Sequence, residues 1–332
     1  MPRHVLILPP KGIPTLEEMG WCTFSSVLQD LGLSVTYDAS TIDSSSWIIS
    51  FNNYRDRRRL LDSVAPSRRI GIVLEPRVTS PYTHRTVLEG DFSVVFAGSP
   101  MWFPGTRVSV FRWPQAISGD RIPIAQQYPY DVTALSGDKY SAIPGSLYGL
   151  RRRIGREFDR QGIRLAMFGR GWSDPPIRRW GRAARACVKS AQEYIPPDLA
   201  LAAQAMNWRP RRHLGVASTK RQALSFAPAS LVIENSADYV SEKLFDVLVH
   251  GVVPLYVGPP LEQFGIPGSL VVQCGMDPQH VVETVMGLDT ELLESLRTRA
   301  SVWLASEAAE VHAAELVVGG LARDVWLHIS SN

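Results

Sequence analysis

The chain has 332 residues, and at roughly 100–200 residues per domain that length predicts two domains. Apolar residues make up 45% and charged residues 20%, which excludes a collagen-like or wholly disordered chain. The net charge of +3 is too small to argue by itself for a polyanionic partner.

Three cysteines, Cys22, Cys187 and Cys274, share no metal-type spacing and cannot all pair. We read them as reduced, buried and structural. No apolar run approaches the roughly 20 residues that span a bilayer, and the start is too short in apolar residues for a signal peptide. The expected compartment is therefore cytoplasmic, with a peripheral membrane association left open.

In chain order, Val5–Leu8 reads as a first buried strand and Leu16–Leu31 as a helix ending at Gly32. Ser34–Tyr37 and Trp47–Phe51 read as strands, and Asp56–Val64 as a short basic helix. Ile70–Leu74 is an apolar strand that breaks at Glu75-Pro76, and Phe92–Ala97 and Val108–Phe111 follow. Residues 114–139 are rich in turn-formers and are placed as the boundary. Tyr140–Ile143 then reads as a strand, Leu150–Gln161 as an arginine-rich helix and Ile163–Phe168 as a strand. Residues 172–212 resist assignment. Ser230–Ile233, Val252–Val257 and Leu270–Gln273 read as strands, Ser241–Val249 as a helix, and the last 50 residues as helical. Short apolar strands alternating with helices predict parallel sheets covered on both faces. The expected division is 1–125 and 140–332, two Rossmann-like domains facing a cleft, with the last helices packing back. Ligands would sit where strands end.

The most informative stretch runs from Leu231 to Asp246. A buried strand ends in Glu234-Asn235-Ser236, and a helix opens near Tyr239 to Lys243, with Ser236 or Asp238 placed to cap it. Unpaired N–H groups at a helix start suit a phosphate. Lys243 adds positive charge in a turn where charge is normally negative, so an anion explains it, although a merely solvated lysine would read alike.

Ile233-Glu234-Asn235-Ser236, then Asp238-Tyr239-Val240-Ser241-Glu242-Lys243-Leu244, then Val253-Pro254-Leu255-Tyr256-Val257-Gly258 resemble, in order and spacing, the donor motif of the α1,3-fucosyltransferase family. Leu165 to Trp172, with its Gly169-Arg170-Gly171, and Ile70 to Pro76, ending in Glu75-Pro76, resemble two weaker blocks of that family. The resemblance implies an inverting glycosyltransferase of GT-B architecture. It implies that Glu242 contacts the sugar or ribose of a nucleotide-sugar donor, that Lys243 holds the diphosphate and that Tyr239 lies near the nucleotide. Ser241 keeps the hydroxyl of the usual threonine, and Glu234 and Asn235 shape the donor pocket. An arginine at the start of the 150–161 helix would grip phosphate oxygens; Arg151, Arg152, Arg153 and Arg156 compete, and Arg153 is favoured for its place near the helix start. Glu75 is the expected general base.

No Asp-x-Asp follows a strand and the histidines show no zinc spacing, so no obligatory metal and no cofactor beyond the donor is expected. His250, at a helix end before Gly251, is read as structural. The implied donor is GDP-fucose and the implied acceptor a glycan hydroxyl. Other readings keep the machinery with another nucleotide sugar, or with a small molecule, protein or nucleic-acid base as acceptor. Residues 151–186 hold 11 Arg against 3 acidic residues, which keeps nucleic acid open as a less favoured partner. A catalytically inactive sugar-nucleotide-binding protein is the third reading. A dinucleotide-binding dehydrogenase is disfavoured because no Gly-x-Gly-x-x-Gly follows the first strand.

Overall fold

The computed structural model describes residues 3–19, 21–99, 101–103, 108–199 and 209–332. The chain forms two compact units, one of residues 1–115 with 311–332, the other of 116–310.

The first unit holds six parallel strands in the order β2-β1-β3-β4-β5-β6. They are β1 (His4–Leu8), β2 (Ser34–Thr36), β3 (Trp47–Phe51), β4 (Arg69–Val73), β5 (Val94–Ala97) and β6 (Val108–Val110). Side chains alternate across the sheet, so β1 sends Val5 and Ile7 to one face and Leu6 and Leu8 to the other. Helix α1 (Cys22–Asp30) covers the first face through Phe24 and Leu28. The short helix α2 (Arg58–Leu61) covers the second through Leu61. The region read as one helix from Leu16 is a 3-10 turn, Leu16–Met19, followed by α1. Helix α3 (Pro81–Leu88), unforeseen from the sequence, starts with Pro81, whose missing N–H costs nothing at a helix's first position.

The second unit holds five parallel strands in the order β11-β10-β9-β7-β8. They are β7 (Val132–Leu135), β8 (Leu165–Phe168), β9 (Ala229–Ile233), β10 (Val253–Val257) and β11 (Val272–Gln273). Helices α4 (Tyr148–Gln161) and α8 (Pro278–Met286) close one face over Leu231, Ile233 and Leu255. Helices α7 (Glu242–Val249) and α9 (Thr290–Leu304) close the other over Val232 and Tyr256. The intervening helices are α5 (Pro176–Gln192) and α6 (Lys220–Leu224). Chain order runs from β7 out to β8 and then returns to β9 on the far side of β7, so the β7–β9 boundary is the switch point of the sheet.

Three expectations change. The first strand of the second sheet is β7, inside the stretch read as a boundary, while Tyr140–Ile143 carries no strand. Tyr140 instead serves polar packing, its hydroxyl donating to Asp138 at 2.9 Å. The stretch after residue 172 contains the 17-residue helix α5; residues 200–208 of that stretch lie outside the described residues. The final helix, α11 (Ala314–Ser331), which follows the short α10 (Glu307–Glu310), packs back as expected and so belongs to the first unit, outside the 140–332 division. Its Val318, Leu321, Val325 and Ile329 fill the core that holds Phe24 and Leu28. No described helix is long and apolar enough to cross a membrane. All three cysteines are free, but only Cys274 is buried; Cys22 is exposed and Cys187 half-buried. Burial pushes the Cys274 thiol up to about 12.

Candidate donor site at the end of β9

Strand β9 ends at Ile233, and the next residue, Glu234, is fully buried. A buried carboxylate needs hydrogen-bond donors. Here the Ser241 N–H donates to Oε1 at 3.0 Å and the Ser241 hydroxyl to Oε2 at 2.6 Å. Ser241 is also the N-cap of α7, accepting a long 3.5 Å bond from the Lys243 N–H. The cap is therefore Ser241, and not Ser236 or Asp238, which bond to each other in the preceding turn.

Lys243 lies in the first turn of α7. Its Nζ donates to the Ser241 hydroxyl at 3.1 Å and to Asn235 Oδ1 at 3.2 Å, and meets Glu234 Oε2 at 3.4 Å. Burial lowers the Lys243 ammonium below its ordinary range; Glu234 opposes that shift and the nearby Arg151 adds to it.

Arg151 enters from α4. The residues just before α4 pair with the loop after β9, as Leu147 N–H donates to the Asn235 carbonyl at 3.0 Å and Ser146 bridges Ser236. That pairing seats the first turn of α4 over Asn235. Arg151 Nη2 donates to Ile233 O at 3.0 Å and to Asn235 Oδ1 at 3.1 Å, and its guanidinium stacks 4.9 Å from the Tyr148 ring centre. It is buried, and among the described residues its Nε has no partner and no carboxylate lies within ion-pair distance. Burial lowers the Arg151 guanidinium below its usual range.

Arg153, the arginine favoured from the sequence, is exposed on the opposite side of α4. Arg152 is buried but committed elsewhere, to Asp138 and to the carbonyls of Tyr148 and Lys139. The residue that joins Asn235 and approaches Lys243 is thus Arg151. Its signal was present in the spacing: positions 151, 154 and 158 share the face of α4 that buries Ile154 and Phe158.

Tyr239 is buried and Glu242 exposed at the first position of α7. Gly258, after β10, presses on the site from the side. A Cβ there would lie 2.4 Å from the Tyr256 hydroxyl and 2.9 Å from Glu234 Cγ. The Tyr256 hydroxyl is buried without a partner among the described residues, and burial beside Glu234 raises its pKa.

The Gly169-Arg170-Gly171 block ends β8. Gly169, at φ +139°, lets the chain pass so near β7 that a Cβ would sit 2.2 Å from the Ser136 carbonyl. Beyond lies a buried ionic cluster. Asp138 pairs with Arg152, with Arg179 at 3.3 Å and with Arg182 at 2.8 Å. Four of the eleven arginines of residues 151–186 are committed there and in an Arg164–Asp131 pair, while Arg153, Arg178 and Arg185 stay exposed.

In the first unit, Glu75 follows β4, half-buried, with its carbonyl bonded to His84 Nε2 at 2.9 Å. His84 is itself buried and stacked 4.8 Å from the Phe103 ring.

No protein-family profile matches the chain, and no curated protein matches its sequence. Solved structures do match in three dimensions. An α-glucosyltransferase bound to UDP and a 13-mer DNA containing an HMU base aligns over 99% of both chains, at 13% identity and TM-score 0.52. A glycosyltransferase from Rickettsia africae ESF-5 aligns over 100% of both chains at 10% identity and TM-score 0.52. An α1,3-fucosyltransferase aligns over 100% of this chain and 90% of its own, at 11% identity and TM-score 0.51. The fold is that of GT-B glycosyltransferases, two parallel-stranded α/β sheets with flanking helices.

Proposed function

We propose that the protein is an inverting glycosyltransferase that takes a sugar from a nucleoside diphosphate, with GDP-fucose as the donor and a glycan hydroxyl as the acceptor. One observation carries the donor half. Two cationic side chains, Lys243 and Arg151, converge on Asn235 Oδ1 at the switch point of the second sheet, beside the first turn of α7. Among the described residues Arg151 hydrogen-bonds to neutral oxygens, with Glu234 and Glu242 acting on it only at longer range, so an arriving diphosphate would supply a direct countercharge. The motif resemblance argues for fucose.

In the proposed step the acceptor oxygen bonds to the anomeric carbon while the bond to the diphosphate oxygen breaks. The leaving diphosphate takes the electron pair, and its charge is met by Lys243, Arg151 and the N–H groups of α7. The acceptor proton goes to Glu75. Glu234 does not react; it orients Ser241 and Lys243. Glu242, exposed at the start of α7, is left to bond donor hydroxyls, and Tyr239 supports the loop that carries the nucleotide.

A second reading changes only the acceptor. The DNA-bound α-glucosyltransferase among the structural neighbours favours a nucleic-acid base there. Acceptor binding that weakens steeply with salt would select that reading.

The test is a thermal-shift panel of nucleotides and nucleotide sugars. A ligand at 100 times its Kd adds about 2.7 kcal/mol of stability. Selective stabilisation by GDP and GDP-fucose, lost in Lys243→Ala, is the expected result. Preference for a uridine donor would discard fucose, and silence with every nucleotide would overturn the donor site. In Glu75→Gln, donor binding should survive while transfer is lost; retained transfer would remove Glu75 as the base.

A further inference from the structure

The amino ends of β9 and β10 carry a second polar cavity, of about 370 Å³. It lies at the opposite end of these strands from Glu234, so roughly 16 Å of strand separates the two places. Arg297, from α9, and Arg121, from the segment before β7, both line it.

Arg297 is only 7% exposed. Its Nη2 donates to the Tyr128 hydroxyl and to the Pro228 carbonyl, each at 3.3 Å. Among the described residues its Nε has no partner, and no carboxylate comes within ion-pair distance of it. A guanidinium so deeply buried is costly unless a countercharge reaches it. Arg121 is held beside it. Its Nη2 donates to the Arg297 carbonyl at 3.2 Å, and Ile122 N–H ties the segment to the His250 carbonyl at 2.9 Å. Gly251, at φ +71°, leaves space for this arginine, since a Cβ there would lie 3.1 Å from Arg121 Nε. Thr298 adds a hydroxyl to the lining, and exposed Glu294 adds one carboxylate. Two guanidinium groups against one solvated carboxylate leave the cavity net positive.

We propose that this cavity binds a phosphoryl group, gripped between Arg121 and Arg297, at a site separate from the donor site. Guanidinium groups bond phosphate oxygens in pairs, which suits two of them on one cavity wall. Glu294 weakens the site by repulsion and tunes its affinity.

The test is calorimetric titration of inorganic phosphate into the full chain at low ionic strength, with chloride as the control anion. Arg121→Gln, which alters an exposed side chain, should weaken phosphate binding by about tenfold, the loss of a charge-assisted bond. Glu294→Gln should tighten it several-fold, as expected on removing a like charge. Lys243→Ala should leave the part of this binding that depends on Arg121 unchanged. Titration with glycerol 3-phosphate separates the sources: equal or better affinity marks a phosphate ester as the ligand, and preference for the free ion marks inorganic phosphate. Phosphate binding that is absent, that chloride matches, or that neither Arg121→Gln nor Glu294→Gln alters would overturn the proposal. Loss in Lys243→Ala alone would assign the phosphate to the donor site instead.

Discussion

Glu234 and Ser241, seven residues apart, are joined by two hydrogen bonds to one buried carboxylate, at 3.0 Å and 2.6 Å. The pair closes the loop between β9 and α7 and sets the start of the helix that presents Lys243. Ser241→Ala removes both the cap and one bond to the carboxylate. We expect a loss of about 1–2 kcal/mol in urea unfolding and weaker nucleotide binding, with Ser241→Thr restoring most of both. Equal stability of the alanine and threonine variants would show that the hydroxyl does not hold the loop.

The lowered pKa of Lys243 gives a second prediction. A bound diphosphate favours the ammonium, whereas burial and Arg151 disfavour it in the free protein. Nucleotide affinity should therefore fall as pH rises through a pKa below the ordinary value of 10.5, and binding there should take up protons. Without ligand the sign reverses for stability. Between the lowered pKa and 10.5 the unfolded chain binds the proton more tightly, so wild type should gain stability relative to Lys243→Met as pH rises. Calorimetry in buffers of different ionisation enthalpy checks the uptake, which Lys243→Arg should abolish.

A third prediction concerns Asp138, whose carboxylate faces Arg152, Arg179 and Arg182. The Arg152 and Arg179 side chains are 2% and 3% exposed, and the Asp138 side chain not at all. Asp138→Asn leaves these cations buried without their shared carboxylate, which should cost about 3–5 kcal/mol. Urea unfolding should show the loss, and adding Arg152→Met should return part of it. Additive losses in the double variant would mean that the two residues do not interact.

The elements that sequence periodicity located well are those with uninterrupted apolar runs. Trp47–Phe51 coincides with β3, and the strands on either side of α7 fall within a residue of their predicted bounds. Strand β7 was missed because four residues between turn-formers, Val132–Leu135, carry too short a pattern. Helix α5 was missed because arginines such as Arg179 are buried in it by pairing, which apolar periodicity does not register. At the site, the cluster of Glu234, Asn235, Ser241 and Lys243 was legible because one loop carries them all. Arg151 was harder: it joins this cluster through contacts to residues 82 and 84 positions away. Nearness to the helix start favoured Arg153, whereas the burial face of α4 places Arg151 beside Asn235 and leaves Arg153 exposed.

Gly258 provides the last prediction. It follows β10 and carries no positive φ, so conformational freedom does not explain it. Space does: a methyl group would stand 2.4 Å from the Tyr256 hydroxyl, 2.6 Å from its Cζ and 2.9 Å from Glu234 Cγ. Tyr256 is fully buried in the core under α7, so its ring has little room to retreat. Gly258→Ala should therefore cost about 1–3 kcal/mol by overpacking. It should also weaken nucleotide binding, because the side chain pushed aside on the other flank is the carboxylate that orients Ser241 and Lys243. The double variant Gly258→Ala/Tyr256→Phe, which removes the hydroxyl but keeps Cζ, should recover part of the stability and less of the binding, since the contact with Glu234 remains. Full recovery of both would place the whole effect on Tyr256 and would sever the link from Gly258 through Glu234 to Lys243.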